Sequence, residues 1–429
     1  MKNEFQRIIL ENGLRVILVP EEHSLATTVM VLVEAGSKYE TKEINGISHF
    51  LEHMCFKGTA KRPKPIDIAS ELDGLGAEYN AFTSHEFTSY FAKAKNESFD
   101  KILEVVADLY LNPLFNEQEI EKEKGVIIEE INMYEDLPMR RVQEFFMELV
   151  YGDQPAGWNI AGRKEVILGS KRDDFINYRD KHYLADSTIL VVAGGFGGEG
   201  AMEKIKSRFA LIQKSEKGAK LKVIEKQEKP REFIKFKDSD QTHLVMGFRA
   251  FDIFDKRRYA LQVLADILGG GMSSRLFQRI REELGAAYYV NASADFYSDH
   301  GLITMAAGVD HKKIETVIAS SLQEFSRFKT EKVDEAELQR AKDHLIGRLY
   351  LSIETSDEIG YFYGGQEIMG LELEMPQVVA ERIQAVSTED IQKVAQELFR
   401  NEALNLALIG PFKDKSFSGI LKVDGEKII

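Results

Sequence analysis

The chain lacks what several protein classes require. A single cysteine, Cys55, in 429 residues excludes an intramolecular disulfide and any cysteine-built zinc cage, and it suits a reducing cytoplasm. No apolar run reaches the roughly 18–20 residues that cross a bilayer, so no membrane span is expected. The start, MKNEFQRIILENGL, has no charged-then-apolar pattern ahead of a small-residue cleavage point, and no export signal is expected. Positive charge is in deficit: 56 Lys+Arg against 70 Asp+Glu gives 56 − 70 = −14, which argues against nucleic acid as a partner. Disordered and fibrous classes are excluded by a composition of 44% hydrophobic and 29% charged residues. The length exceeds one ordinary core and calls for more than one domain.

What is present reads as strands mixed with long helices. IIL (8–10) and LRVILV (14–19) flank Asn12-Gly13, a strong hairpin-turn signal, and a third strand follows over 26–35. Ile44, Ile47, Leu51 and Met54 recur at helical spacing, predicting a helix over roughly 44–57 that stops at Gly58. Strands near 77–83 and 86–95 precede helices near 98–111 and 116–135. No βαβ rhythm repeats, so the fold class is α+β. The charged stretch KSEKGAKLKVIEKQEKPR (214–231) reads as a solvated linker. Beyond it the pattern of the first half recurs: DSTILVVAGGF (186–196) resembles EALNLALIGPF (402–412), an offset of 412 − 196 = 216. A period that long means duplication of a domain. The expected layout is a domain over 1–213, a linker over 214–230 and a homologous domain over 231–429. Each domain is expected to be a mostly antiparallel sheet packed with helices.

The informative segment is His49-Phe50-Leu51-Glu52-His53. Residues four apart share a helix face, so His49 and His53 can offer two imidazoles to one ion, with Glu52 beside them. Two neutral nitrogens plus one carboxylate form a common catalytic zinc set that leaves a position for water. A second carboxylate can then take that water's proton. The third ligand must come from elsewhere. The helix EIEKEKGVIIEEINMYEDLP (119–138) carries six glutamates, most of them read as a solvated face; Glu123 and Glu130 lie two turns apart on one side. Spacing alone does not choose between Glu130 and its neighbour Glu129.

His49-Phe50-Leu51-Glu52-His53 is the inverted zinc motif of the inverzincins, and the whole chain resembles the pitrilysin-type metallopeptidases, notably the two-domain, processing-peptidase-like members. The resemblance implies one Zn²⁺ per chain held by His49, His53 and Glu130, which stands 130 − 53 = 77 residues past the second histidine. It implies Glu52 as general base and Glu123 as a carboxylate that orients a ligand. Asn80-Ala81-Phe82-Thr83-Ser84 resembles the family's edge strand, where the peptide substrate pairs through Asn80, Ala81 and Phe82. Arg281 and Tyr288 resemble the family's Arg and Tyr, seven apart, that hold substrate and oxyanion; Arg279 and Tyr289 are near alternatives. Two duplicated domains enclosing a chamber are implied. The second half carries Gln262, Ala265 and Asp266 where His, Glu and His would be needed, so one metal site is expected.

These readings converge on a cytoplasmic zinc endopeptidase for unfolded peptides or short protein segments, working as a homodimer. The alternatives are a non-catalytic assembly subunit and the active half of a heterodimer. Retention of both the metal set and the Arg/Tyr pair in one chain argues against both. Gly269-Gly270-Gly271 lacks the Lys-Ser/Thr of a phosphate loop and reads as a flexible connection. Cys55 reads as a small buried residue.

Overall fold

A computed structural model describes residues 5–197, 200–210, 212–214 and 217–423. The chain divides into two compact units, one comprising Met1–Asn132, Trp158–Leu221 and Tyr350–Met375, the other Met133–Gly157, Lys222–Leu349 and Pro376–Ile429. The architecture is α+β, with one mixed, mostly antiparallel sheet in each unit.

The first sheet contains β1 (Gln6–Ile9), β2 (Arg15–Pro20), β3 (Ala26–Val33), β4 (Glu78–Thr83), β5 (Thr88–Lys95) and β6 (Thr188–Gly194), in the order β1-β2-β6-β3-β5-β4. Only β2 and β6 run parallel. The second contains β7 (Arg231–Phe236), β8 (Thr242–Ala250), β9 (Ala287–Phe296), β10 (Gly301–Val309) and β11 (Leu404–Gly410), in the order β7-β11-β8-β10-β9. Here only β7 and β11 run parallel. Setting β1 aside, the two orders superpose strand for strand, as a duplicated domain requires.

Helices α1 (Ile47–Cys55), α2 (Pro65–Gly74), α3 (Phe99–Leu111), α4 (Glu117–Asp136), α5 (Pro138–Tyr151), α6 (Lys164–Gly169), α7 (Arg172–His182) and α8 (Ala201–Phe209) belong to the first half of the sequence. The second half supplies α9 (Arg258–Gly269), α10 (Ile314–Thr330), α11 (Glu335–Leu351), α12 (Ser356–Ile368), α13 (Pro376–Gln384) and α14 (Thr388–Leu398).

The central strands are apolar throughout because both of their faces are covered. On the first sheet, Val16, Val29, Val31, Leu190 and Val192 face a core shared with α1, α3, α7 and α8. Their alternating neighbours Ile17, Val19, Met30, Leu32, Ile189 and Val191 face Ile359, Tyr363 and Ile368 of α12. The second sheet is arranged reciprocally. Leu244, Met246 and Phe248 face the helices of their own half, whereas Val245, Ala306, Ala407 and Ile409 meet Val142, Phe145, Phe146 and Val150 of α5. Each half of the sequence therefore lends one helix to the other half's sheet. The compact units depart from the linear layout of 1–213 and 231–429 for this reason, because a sheet with two apolar faces needs a cover on each.

The 214–230 stretch is tied down where it is described; Ser215 and Glu216 lie outside the described residues. Lys217 pairs with Glu34 at 2.8 Å and Lys220 pairs with Glu86. Val223 is buried and its N–H donates to Asp299 at 3.0 Å, while the Ile224 N–H donates to Gln154 at 3.0 Å. Gly269 and Gly270 of the triple glycine are also close-packed rather than loose. A Cβ on Gly270 would stand 2.1 Å from the Asp266 carboxylate, and one on Gly269 2.4 Å from the Ala292 nitrogen.

Because α12 comes from late in the chain, residues 1–213 lack the cover of one face of their sheet. Losing α12 uncovers a whole sheet face; three buried side chains at about 1.5–3 kcal/mol each amount to roughly 5–9 kcal/mol, comparable with a domain's net stability. Residues 1–213 expressed alone are expected to aggregate or to lack a cooperative thermal transition, read by circular dichroism and sedimentation. A monomeric fragment melting like the full chain would refute the role given to α12.

Candidate metal centre

Helix α1 starts abruptly. Its N-cap, Gly46, sits at φ +100°, and a Cβ there would stand 2.8 Å from the Ala161 carbonyl oxygen and the Gly162 Cα. Glycine offers no side chain to the orphan N–H groups of the first turn. Buried Glu40 supplies the acceptors instead. Its Oε2 accepts from the Gly46 N–H at 2.7 Å and the Asn45 amide at 2.9 Å, and its Oε1 accepts from the Ser48 N–H at 2.8 Å. A carboxylate at the positive end of a helix is favourably placed. Ile47, Phe50, Leu51, Met54 and Cys55 drive the opposite face into the core, leaving His49, Glu52 and His53 together.

Helix α4 answers from across a short gap. Ile120, Ile127 and Ile131 anchor it to the core, and Glu123 and Glu130 share that face. One nitrogen of His49, one nitrogen of His53 and one oxygen of Glu130 all lie within 4.8 Å of one another. His49 Nε2 is 3.6 Å from Glu130 Oε1, and His53 Nε2 is 3.6 Å from Glu130 Oε2. These separations are long for hydrogen bonds but close to the ~3.3 Å between ligands of a tetrahedral ion with bonds of about 2.0–2.1 Å. The donor set of two imidazoles and one carboxylate fits zinc. Among the described residues this is the one group of three that can hold a metal ion.

The surroundings distinguish the carboxylates. Glu123 Oε1 is 2.9 Å from His53 Nδ1, and its Oε2 is 2.7 Å from Lys57 Nζ. Burial pushes Glu123 upward, but the His53 and Lys57 contacts outweigh it and leave the group below its ordinary range. Such a partner fixes the ring and turns the other nitrogen towards a metal. Glu52 moves the opposite way: burial raises it, a hydrogen bond from Thr83 and the charge of His53 oppose, and Glu130 adds to the rise. Thr83 Oγ1 donates to Glu52 Oε2 at 2.5 Å. Glu129 is exposed and accepts from Asn132 at 3.4 Å.

On β4, Asn80 is exposed and its Oδ1 accepts from the Ala81 N–H at 2.9 Å. β4 is an edge strand, with Ala81 and Thr83 on the α1 side and Phe82 on the other. Arg281 lies in a π-helical turn over Phe277–Glu283, its guanidinium 4.8 Å above the Phe277 ring, and Tyr288 on β9 is 75% exposed. The alternatives are committed elsewhere: Arg279 pairs with Glu283 at 2.6 Å, and the Tyr289 hydroxyl is 3.0 Å from His243 Nδ1. In the second unit, Gln262, Ala265 and Asp266 lie on α9, and Asp266 pairs with His344 of α11 at 2.8 Å. Cys55 is buried with its Sγ 3.6 Å from the Tyr90 hydroxyl, and burial pushes the thiol up to about 12.

Sequence reasoning missed Glu40, Thr83 and Lys57. Thr83 was legible as the residue after Phe82, on the opposite face of an alternating strand. Glu40 and Lys57 carry no periodic signal.

Residues 15–164 match the family described as Insulinase (Peptidase family M16), and residues 170–345 match the Peptidase M16 inactive domain. The chain belongs to peptidase family M16. An uncharacterized zinc protease of Rickettsia felis is 38% identical over 418 residues, covering 96% of this chain and 98% of that one. The uncharacterized zinc protease YmxG of Bacillus subtilis is 34% identical over 411 residues, covering 95% and 98%. A protease from Helicobacter pylori shares the fold with a TM-score of 0.88 at 23% identity, covering 95% of this chain and all (100%) of that one. Like these M16 relatives the chain is two-domain α+β, and no helix among the described residues is long and apolar enough to cross a membrane.

Two measurements test this centre. Glu130→Ala is expected to deplete bound zinc and Glu129→Ala to leave it nearly intact, because residues one apart on a helix point about 100° apart; elemental analysis showing the reverse would exchange their roles. Burial pushes the Glu40 carboxyl up to about 7 from 4.5, against the N–H groups that lower it. A folded-state value above the unfolded one favours the fold most below the unfolded value, and that advantage is lost as pH rises towards 7. Glu40→Gln should therefore flatten the fall in melting temperature between about pH 4.5 and 7. An unchanged slope would count against the titration.

Proposed function

We propose that the chain is a zinc-dependent endopeptidase acting on unfolded peptides or short protein segments. The observation that carries the reading is the convergence of His49, His53 and Glu130 beside Glu52, which Thr83 ties to an unpaired strand edge. His49, His53 and Glu130 would hold the ion, one per chain, with Glu123 fixing the His53 ring. Zinc bound there would polarise the scissile carbonyl and acidify a water.

The remaining steps belong to this chain's own groups. An extended peptide adds to β4 along Asn80, Ala81 and Phe82, displacing the Asn80 side chain from the Ala81 N–H. Glu52 takes the proton of the attacking water and returns it to the departing amine nitrogen. Its raised affinity for protons suits a group that must hold one transiently. Arg281 and Tyr288 are assigned to the substrate carbonyl oxygen as donors; both are exposed and free of the partners that occupy Arg279 and Tyr289. Because both sets of residues stand in one chain, the proposal includes a self-sufficient homodimer in the cytoplasm rather than a heterodimer half or a non-catalytic subunit.

Glu52→Gln is expected to retain zinc and to lose about 10²–10⁴ in cleavage rate. Arg281→Ala and Tyr288→Phe should lower kcat/KM with zinc content unchanged. The assay is mass mapping of cuts in a peptide mixture, with and without chelator, beside metal analysis; parental cleavage by Glu52→Gln would sink the mechanism.

A further inference from the structure

The first unit also holds a cavity of about 410 Å³ that shares no residue with the candidate metal centre and falls within the usual range for small-molecule sites. It is walled by α3, the C-terminal end of α7, the end of α8 and the loop at Lys61. Ala107, Leu111, Leu184 and Ile212 give it apolar surface. Beside them stand six ionisable groups, Lys61, Arg179 and Arg208 against Glu104, Asp108 and Asp180.

Only some of these charges are fully answered within the protein. Asp108 is spent: its Oδ2 accepts from Thr59 Oγ1 and from Arg62 Nη1 at 2.8 Å, and its Oδ1 accepts from the Asn112 amide at 2.9 Å. Lys61 donates to Glu104 Oε1 at 2.9 Å. Arg179 Nη2 is fixed at the end of α3, where it donates to the carbonyl oxygens of Leu111 at 2.5 Å and Tyr110 at 3.3 Å, two of the orphan carbonyls of that terminus. The remaining guanidinium contacts are ion pairs too long for hydrogen bonds. Arg179 Nη1 stands 3.6 Å from Asp180 Oδ1, and Arg208 Nη2 stands 3.7 Å from Glu104 Oε2. With Asp108 spent, three cations meet two carboxylates, a surplus of 3 − 2 = 1 positive charge.

We propose that this cavity binds a small organic acid with one carboxylate and a short apolar body. The planar fork of a guanidinium matches the two oxygens of a carboxylate, and Arg179 and Arg208 both have donors to give. The single surplus charge suits a monoanion. A second negative charge, as on a phosphate, would meet Glu104 and Asp180 with no cation left to answer it. Ala107, Leu111, Leu184 and Ile212 take the hydrocarbon part, whose burial adds affinity without a further charge. Arg179 is already held in place by the end of α3, so its ordering costs little when the acid binds.

The test titrates the full-length protein in a calorimeter with sodium 4-methylpentanoate, with the neutral amide of that acid, and with inorganic phosphate. The acid is expected to bind with a Kd of about 1 mM, as suits so small a ligand. The amide and phosphate should bind at least about tenfold more weakly. The Arg208 side chain is 38% exposed and has only its 3.7 Å ion pair to lose, so its replacement should leave the melting temperature of the free protein nearly unchanged. Arg208→Ala should weaken the acid about 10–100-fold, the span of a hydrogen bond to a charged group, and Arg208→Glu should abolish binding. No binding of the acid by the parent, equal binding of its amide, or parental affinity in both Arg208 variants would overturn the proposal and leave the six groups as an ion-pair lattice only. Phosphate binding more tightly than the acid would overturn it as well. None of these readings depends on peptide cleavage, so the acid site and the peptidase reading stand or fall separately.

Discussion

Three donor atoms converge within 4.8 Å because α1 and α4 are each held at one rotation about their axes, and the first unit is built around that constraint. Gathering two imidazoles and a carboxylate so closely requires the scaffold to hold them in place. Apolar residues on the back of α1 and the isoleucine row of α4 provide the grip. Glu40 secures the first turn of α1 from one side, and Glu123, held by Lys57, secures its last turn from the other. Neither contact is local in α1, and both are buried, where a hydrogen bond to a charged group is stronger than in water.

The same neighbourhood sets two carboxylates in opposite electrostatic states. Glu123 has a cation and an imidazole as partners and is held below its ordinary range; Glu52 has burial, a like charge and one hydroxyl, and is held above it. A carboxylate that stays ionised can orient a ligand, and one with a raised proton affinity can shuttle a proton. Pairs of groups whose environments push them apart in this way match the roles proposed for Glu123 and Glu52.

The second unit repeats the strand order of the first without the His-His-Glu set. The strand orders match and the helix pair α9 and α11 repeats α1 and α4, yet there Asp266 Oδ1 lies 2.8 Å from His344 Nδ1 in place of a ligand set. The sheet of the second unit needs covering as the first does, and the exchanged helices α5 and α12 each cover a sheet built from the other half of the sequence. The exchange also brings a residue from late in the chain, Tyr361, to the strand that carries Thr83.

Local spacing made much of this readable in the sequence. The four-residue step between His49 and His53, the turn at Asn12-Gly13, the alternating strands and the repeat near 216 depend only on the 3.6 and 2.0 periods of the backbone and on copying. The residues alone left Glu130 and Glu129 open, and only the resemblance to a family favoured Glu130. Packing separates them, since a rotation of about 100° on α4 is set by the isoleucines below it. Glu40, Lys57, the clipped 217–230 stretch and the helix exchange were decided entirely by tertiary structure. Each depends on which distant surfaces meet, and no period in a single chain encodes that. The buried carboxylate, the lysine beside Glu123 and the exposed tyrosine on α12 read as ordinary residues until the fold supplies their neighbours.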